Sequence, residues 1–223
     1  MIKSKTGNGK LSRKVLAMLV ASGMMSSGAY ANDVYVEQIG DNAIVSITQT
    51  GAANRVNGNV GGTGSDSDAA IIRGDLNDVT ISQIGASNTL SLILNTETNG
   101  LGSTVVVSAD GSSNNQTIGC GTALSSSCNA NLIRSEISGN NNNTVQLLSG
   151  GVTKSTITVN GNYNNVTHSA QGIGQHSGDI MVSGSGTNGS ANAVTLTQSG
   201  VTAKNAIITS NGSSNNINIT QSD

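Results

Sequence analysis

Asn77-Asp-Val79-Thr-Ile81-Ser-Gln83-Ile-Gly85-Ala-Ser-Asn88 holds the two signals that decide the fold. Val79 and Ile81 alternate with polar residues, and a period of two makes a strand with one apolar face. The strand ends in Gln83 and runs into Gly85-x-x-Asn88, a turn in which glycine accepts positive φ and asparagine tolerates the left-handed region. The scheme returns in Asn192-Ala-Val194-Thr-Leu196-Thr-Gln198-Ser-Gly200 and in Asn215-Asn-Ile217-Asn-Ile219-Thr-Gln221. A second strand lies upstream of the glycine, most clearly in Ser155-Thr-Ile157-Thr-Val159-Asn-Gly161. Looser versions are Ser103-Thr-Val105-Val-Val107, Asp179-Ile180-Met-Val182 and Asn205-Ala-Ile207-Ile208.

Outward from that stretch, Gly-x-x-Asn recurs along the chain. The copies are Gly51/Asn54, Gly74/Asn77, Gly85/Asn88, Gly111/Asn114, Gly139/Asn142, Gly161/Asn164, Gly189/Asn192 and Gly212/Asn215. The underlying unit is about 22 to 28 residues, with a half-step between Gly74 and Gly85, and a unit of that size must stack on a neighbour to bury its apolar face. The expected fold is all-β, a repeat β-solenoid of about seven to eight strand-turn-strand rungs with ladders running between successive units at about 4.8 Å. An antiparallel meander is the competing reading, because such turns also close hairpins. Similar residues at the same place in every unit favour stacking. Gln38, Gln49, Gln83, Gln198 and Gln221 are expected to form a ladder of buried amides beside the turn asparagines, each donating to and accepting from its counterpart one rung away.

Composition removes the ordinary alternatives. The 223 residues include no Phe, Trp or Pro, and the tyrosines are Tyr30, Tyr35 and Tyr163. Val, Ile, Leu and Ala must then supply the core, and regular β-branched alternation favours ordered strands over disorder. Residues 1–31 read as a secretory signal. Lys3, Lys5, Lys10, Arg13 and Lys14 precede the apolar run Val15–Ala21, and Ala29-Tyr-Ala31 has the small-x-small cleavage pattern. The mature domain is expected to be 32–223. Its basic residues are Arg55, Arg73, Arg134, Lys154 and Lys204, against all twelve acidic ones, for a net charge near −7. No nucleic-acid partner is expected, since phosphate binding needs clustered Lys and Arg.

Gln49-Thr-Gly51-Ala-Ala-Asn54 and Gln83-Ile-Gly85-Ala-Ser-Asn88 resemble the Gln-x-Gly-x-x-Asn core of curlin repeats, and Asn32-Asp-Val-Tyr-Val-Glu-Gln38-Ile-Gly40 is similar to a curlin strand. Loosely, the resemblance covers most of 32–223, although later units carry Ser138-Gly139, Asn160-Gly161 or Asn211-Gly212 before the turn. It implies a subunit or nucleator of a curli-type functional amyloid, secreted through an outer-membrane pore to the cell surface of a Gram-negative bacterium. There it would build biofilm fibres and serve adhesion by self-association, with or without a second curlin-like subunit. The expected mechanism is edge-strand addition at the nearly uncharged C-terminal rung, with Ile217 and Ile219 as the assembly end. The alternative is a monomeric β-solenoid adhesin or binding module that uses the insertions at 57–68, 119–130 and 169–178; a further insertion interrupts the spacing at 95–102. An ice- or surface-binding solenoid would need a flat Thr-x-Thr ladder on one face, and Thr156/Thr158 and Thr195/Thr197 occur without aligned partners in most units.

Sites for chemistry are few. Cys120 and Cys128 are expected to close a small disulfide loop in an exported chain, worth about 2–3 kcal/mol against the unfolded state. Metal binding and redox use are weaker readings of that pair, since no His lies near and the spacing is not Cys-x-x-Cys. Gly61-Gly-Thr-Gly-Ser-Asp66 starts like a calcium-binding nonapeptide, but Asp68 replaces the needed aliphatic and tandem copies are missing, so a flexible acidic loop is expected. His168 and His176 read as loop residues. With the acids scattered singly and no nucleophile motif, no enzyme activity, cofactor or metal is expected.

Overall fold

Along the longer strands, inward aliphatics alternate with outward polar residues, and this alternation builds stacked sheets. The computed structural model describes residues 3–4, 16–22, 32–39, 44–57, 70–74, 77–96, 103–119, 132–148, 154–172 and 176–223. Every described element is a strand, and no described residue is helical. In chain order they begin with β1 (Lys3–Ser4), β2 (Leu16–Ser22), β3 (Asp33–Val34), β4 (Val36–Ile39), β5 (Ile44–Thr50), β6 (Arg55–Asn57) and β7 (Ala70–Gly74). They continue with β8 (Asn77–Ile84), β9 (Thr89–Ser91), β10 (Ile93–Thr96), β11 (Ser103–Val105), β12 (Ser108–Asp110), β13 (Asn115–Thr117) and β14 (Glu136–Ser138). The last are β15 (Asn143–Leu148), β16 (Thr156–Asn160), β17 (Asn164–Gln171), β18 (His176–Ser183), β19 (Asn192–Ser199), β20 (Lys204–Asn211) and β21 (Asn216–Gln221).

Strands of successive units pair with one another, always in parallel. The first sheet runs β2-β5-β8-β12-β14-β16-β18-β20, with β11 also on β8, and the second runs β3-β6-β9-β13-β15-β17-β19-β21. A third sheet, β1-β4-β7-β10, accompanies only the N-terminal units. Parallel neighbours cannot be joined by a tight hairpin. The antiparallel meander is therefore excluded among these strands, and the described antiparallel pairing is a lone bridge between Thr187 and Ser190.

Registers set inward residues in columns that are mostly aliphatic, with Gln116 and Thr144 as polar steps. In the second sheet Val56, Leu90, Gln116, Thr144, Val166, Val194 and Ile217 stand one above the next. In the first sheet Ile47 lies on Ile81, and farther along Ile157, Ile180 and Ile208 are stacked. The inward side chains of these two sheets, with Val36 of the third sheet and residues between strands such as Leu92 and Ile118, meet in two apolar clusters. One runs from Val36 and Val45 to Leu148 and Ala170, and the other is built on Ile137, Ile157, Val159, Val166, Ile180, Val182, Val194, Leu196 and Ile208. Buried polar residues Gln116, Ser135, Thr144, Gln146, Ser155, His168 and His176 come from the middle units.

The half-step expected at Gly74 has a structural origin. Gly74 ends β7 in the third sheet and Asn77 opens β8 in the first, so Gly74/Asn77 is a corner between those sheets. One full unit therefore separates Asn54 from Asn88, which are 34 residues apart. A two-strand unit was expected throughout, but the N-terminal units carry this third strand. The expected insertion at 169–178 is also largely strand, since Ser169–Gln171 finishes β17 and His176–Gly178 opens β18. The apolar run expected to belong to a secretory signal contributes β2, which lies at the edge of the first sheet in register Leu16↔Ile44 to Ser22↔Thr50. No helix among the described residues is long and apolar enough to cross a membrane.

Candidate assembly surface

At one corner of each unit the chain passes from the first sheet to the second, and there a glycine column forms. Gly51, Gly85, Gly111, Gly139, Gly161, Gly184 and Gly212 all have φ between 105° and 134°. A Cβ on Gly51 would lie 1.9 Å from the carbonyl oxygen of Gly85, and the same 1.9 Å approach recurs from Gly85 to Gly111, Gly111 to Gly139 and Gly139 to Gly161. Glycine is thus required twice, by its φ and by the backbone stacked on it. The left-handed residue further along the turn is not the asparagine that local turn chemistry suggests. It is the residue before it: Ala53, Ser87, Ser113, Asn141, Tyr163 and Ser214 have φ between 52° and 59°.

The asparagines are kept for their side chains. Asn88 Nδ2 donates to Asn54 Oδ1 at 3.0 Å, Asn114 to Asn88 at 3.0 Å, Asn142 to Asn114 at 3.1 Å, Asn164 to Asn142 at 2.9 Å and Asn192 to Asn164 at 2.7 Å. Each Nδ2 also donates to the glycine carbonyl of the following unit, from Asn54 to Gly85 at 2.9 Å through Asn192 to Gly212 at 3.0 Å. Asn32 heads the column, accepting from the Asn54 N–H at 2.9 Å. The sequence pattern missed Asn32 because no glycine stands three residues before it. A second amide and hydroxyl column follows on the exposed corner. There the backbone N–H groups of Ser112, Asn140 and Asn162 donate to Asn140 Oδ1, Asn162 Oδ1 and Ser185 Oγ at 2.7, 2.7 and 3.1 Å.

One expected turn glycine is replaced. Gly189 has nothing within 4 Å of a notional Cβ, whereas Gly184 stands in the column beneath Gly212. Gly184-Ser-Gly186 makes the turn, residues 187–191 bulge outward, and Asn192 returns to the asparagine column. Spacing alone selects Gly189, because the excursion happens to supply a glycine three residues before Asn192.

The glutamines form two short ladders on opposite sheets. Gln49 Nε2 donates to Gln83 Oε1 at 2.8 Å in the first sheet, and Gln198 Nε2 donates to Gln221 Oε1 at 2.8 Å in the second. Both kinds reach across the core to the facing backbone: Gln83 to the Arg55 carbonyl at 3.2 Å and Gln198 to the Ser177 carbonyl at 3.1 Å. Gln38 lies in β4 of the third sheet, in register with Ser4 and Ile72. A single ladder through all five was expected from their common strand-end position, but strands of that pattern are dealt to three different sheets.

The histidines are core residues rather than loop residues. His168 is completely buried in β17, its Nδ1 2.7 Å from Ser155 Oγ and its Nε2 2.8 Å from Gln198 Oε1. Burial holds its pKa below the usual 6.5, with the Gln198 bond opposing and the nearby His176 adding to the depression. His176 is buried with neither ring nitrogen hydrogen-bonded, and Gln146, beside His168 in the column, has a buried amide without a partner. Among the described residues no group of three or more His, Cys, Asp or Glu could hold a metal ion. Cys120, Cys128, Asp66 and Asp68 lie outside the described residues, as does most of the 57–68 and 119–130 insertions.

At the C-terminal end the ladders stop with their partners on one side only. β20 and β21 are the last strands of their sheets. Ile217 and Ile219 align with the fully buried Val194 and Leu196 but are themselves only half-buried against the core. Asn215 accepts no successor, and its Nδ2 turns back to Ser210 Oγ at 3.1 Å and the Asn211 carbonyl at 3.0 Å. The other corner of this last unit is closed. A Cβ on Gly172 would meet the Gly200 carbonyl, and above Gly200 the Asp223 carboxylate takes the place a further glycine would have. Asp223 accepts from the N–H groups of Val201 and Thr202 at 3.0 and 3.2 Å and pairs with Lys204. The Lys204 ammonium and those N–H groups hold its carboxyl far below the ordinary range.

No family model, curated protein or solved structure matches the chain.

Proposed function

We propose that the chain is a β-solenoid subunit of an extracellular, curli-like fibre that grows by adding the stacked units of one copy to those of the next. The observation that carries this reading is that parallel pairing continues unit by unit to β20 and β21, where the backbone and the Asn215, Ile217 and Ile219 side chains have a neighbouring unit on one side. Such an edge templates another strand of the same kind. Ile217 and Ile219 are already half-buried, so covering what remains exposed would contribute about half of the roughly 1.5–3 kcal/mol that complete burial gives each. At the opposite end, cleavage after Ala31 would remove β2 and free the edge of β5, whose Gln49 already stacks on Gln83. The ends of one subunit are heterologous, so their association makes an open filament rather than a closed ring. Self-association, secretion and a place in the biofilm matrix belong to this proposal.

Residues 32–223, purified and incubated, are expected to give cross-β diffraction with a meridional spacing near 4.8 Å and seeded thioflavin-positive growth. Ile217→Pro with Ile219→Lys is expected to abolish seeded growth while leaving the other units folded. Growth kinetics unchanged by that pair of substitutions would reject edge addition at β21. The adhesin reading draws on the Asp223–Lys204 closure, which blocks one corner of the growing end. A protein that stays monomeric for days with no thioflavin signal decides for it.

A further inference from the structure

The two large sheets turn very different outer faces to solvent. The first carries Asp78, Asp110, Glu136 and Asp179 at outward positions. From β9 to β21 the second sheet has no Asp, Glu, Lys or Arg in any strand. Its outward positions are amides, hydroxyls and small apolar groups in register. Asn115 Nδ2 donates to Asn143 Oδ1 at 3.0 Å and Asn143 Nδ2 to Asn165 Oδ1 at 3.0 Å, which fixes one column as a flat amide ribbon. Beside it Thr167 pairs with Thr195 and Thr197 with Thr220, and Val145 and Leu147 are half-buried on the same face.

Resting on the assembly reading above, we propose that this face is where two fibres of the same chain pair, second sheet against second sheet. Charge selects the occupant. A subunit with net charge near −7 after removal of its leader repels its own copies, and apposed first sheets would set carboxylate against carboxylate. Apposed second sheets bring no charge together. Short Thr, Ser, Asn and Ala side chains let two such faces interdigitate at the ~10 Å separation of packed sheets, in the manner of a steric zipper.

Area sets the conditions. Five strands about 4.8 Å apart and about 20 Å long offer roughly 500 Å² per copy, so a pair of single subunits buries about 1,000 Å², at the lower limit of a stable interface. Repetition along a filament multiplies the contact without any new interaction at each site. Pairing is thus a property of the fibre.

Cryo-electron microscopy of fibres grown from residues 32–223 tests this. The wild type is expected to show two protofilaments joined through the face of β13, β15, β17, β19 and β21. Thr195→Lys, and separately Thr167→Lys on β17, should leave seeded elongation within about twofold of wild type and yield single protofilaments. Thr158→Lys, on the outer face of the first sheet in β16, should leave the pairs intact. Wild-type fibres that are single protofilaments overturn the proposal, as do Thr195→Lys fibres that remain paired. Single fibres that bind an uncharged polysaccharide such as cellulose, with Thr195→Lys abolishing the binding, would assign the face to that partner instead. Absence of any fibre from the wild type rejects assembly itself, a result distinct from unpaired fibres.

Discussion

Gly111 has φ 129° and a notional Cβ 1.9 Å from the carbonyl oxygen of Gly139. An alanine there would need both a disfavoured backbone conformation and a displacement of the next unit. Gly111→Ala is expected to lower stability by about 3 kcal/mol, read from denaturant midpoints, whereas Gly189→Ala, in open space on its excursion, should change it by under about 0.5 kcal/mol. His168 gives the residue-scale prediction for pH. Its folded-state pKa lies below the unfolded value of 6.5, mainly through burial, so the unfolded chain binds the proton more readily. The stability tied to the neutral ring is complete above pH 6.5 and is lost as pH falls from there toward the depressed folded pKa. His168→Gln, which keeps an amide in the column of Gln146, should flatten the fall in stability that begins below pH 6.5; an acid limb unchanged in that variant would place the titration elsewhere. The glycines and asparagines were legible from their recurrence. What each does was not, because the turn was read as a local object and its asparagine serves the neighbouring units.

Strands are where the period-two pattern speaks most directly, and β8, β16, β19 and β21 fall where it puts them. Their allocation among sheets is another matter. β7 and β8 are both short aliphatic strands flanking a Gly-x-x-Asn corner, yet one joins the third sheet and the other the first. The apparent loop around the histidines is strand for the same reason that its pattern is weak: His168 and Ala170 take inward positions that aliphatics take elsewhere. At the last element, Asp223 bridges the Gly200 corner and Lys204, a charged closure on an end expected to be nearly free of charge. Asp223→Asn keeps an acceptor for the Val201 and Thr202 N–H groups and removes the ion pair. Seeds of that variant are expected to elongate several-fold faster, as followed by time-resolved fluorescence of single fibres. Equal rates would mean that the closure opens at no kinetic cost.

At the scale of the molecule, two apolar clusters supply the burial while the Asn and Gln ladders hold the units in register, because a slip by one residue would send every inward side chain outward. No Phe, Tyr or Trp belongs to the two apolar clusters, which Val, Ile, Leu and Ala make up. Growth and pairing then belong to different parts of the same shape. The end of β20 and β21 is proposed to extend a filament, and the uncharged outer face of the second sheet is proposed to join two of them. The two proposals separate experimentally, since Ile217 and Ile219 face the core at the end, whereas Thr195 faces outward along the side.

By itself the sequence determined the all-β character, the parallel-stacking repeat and most of the corner residues, since alternation, glycine φ and recurrence are written along one dimension. Only the tertiary structure decided which strands share a sheet, that Gly184 rather than Gly189 enters the column, that the glutamines divide into two ladders, and that the histidines lie in the core. Those outcomes depend on register between units, and register is set by what each inward side chain meets across the core and one level away.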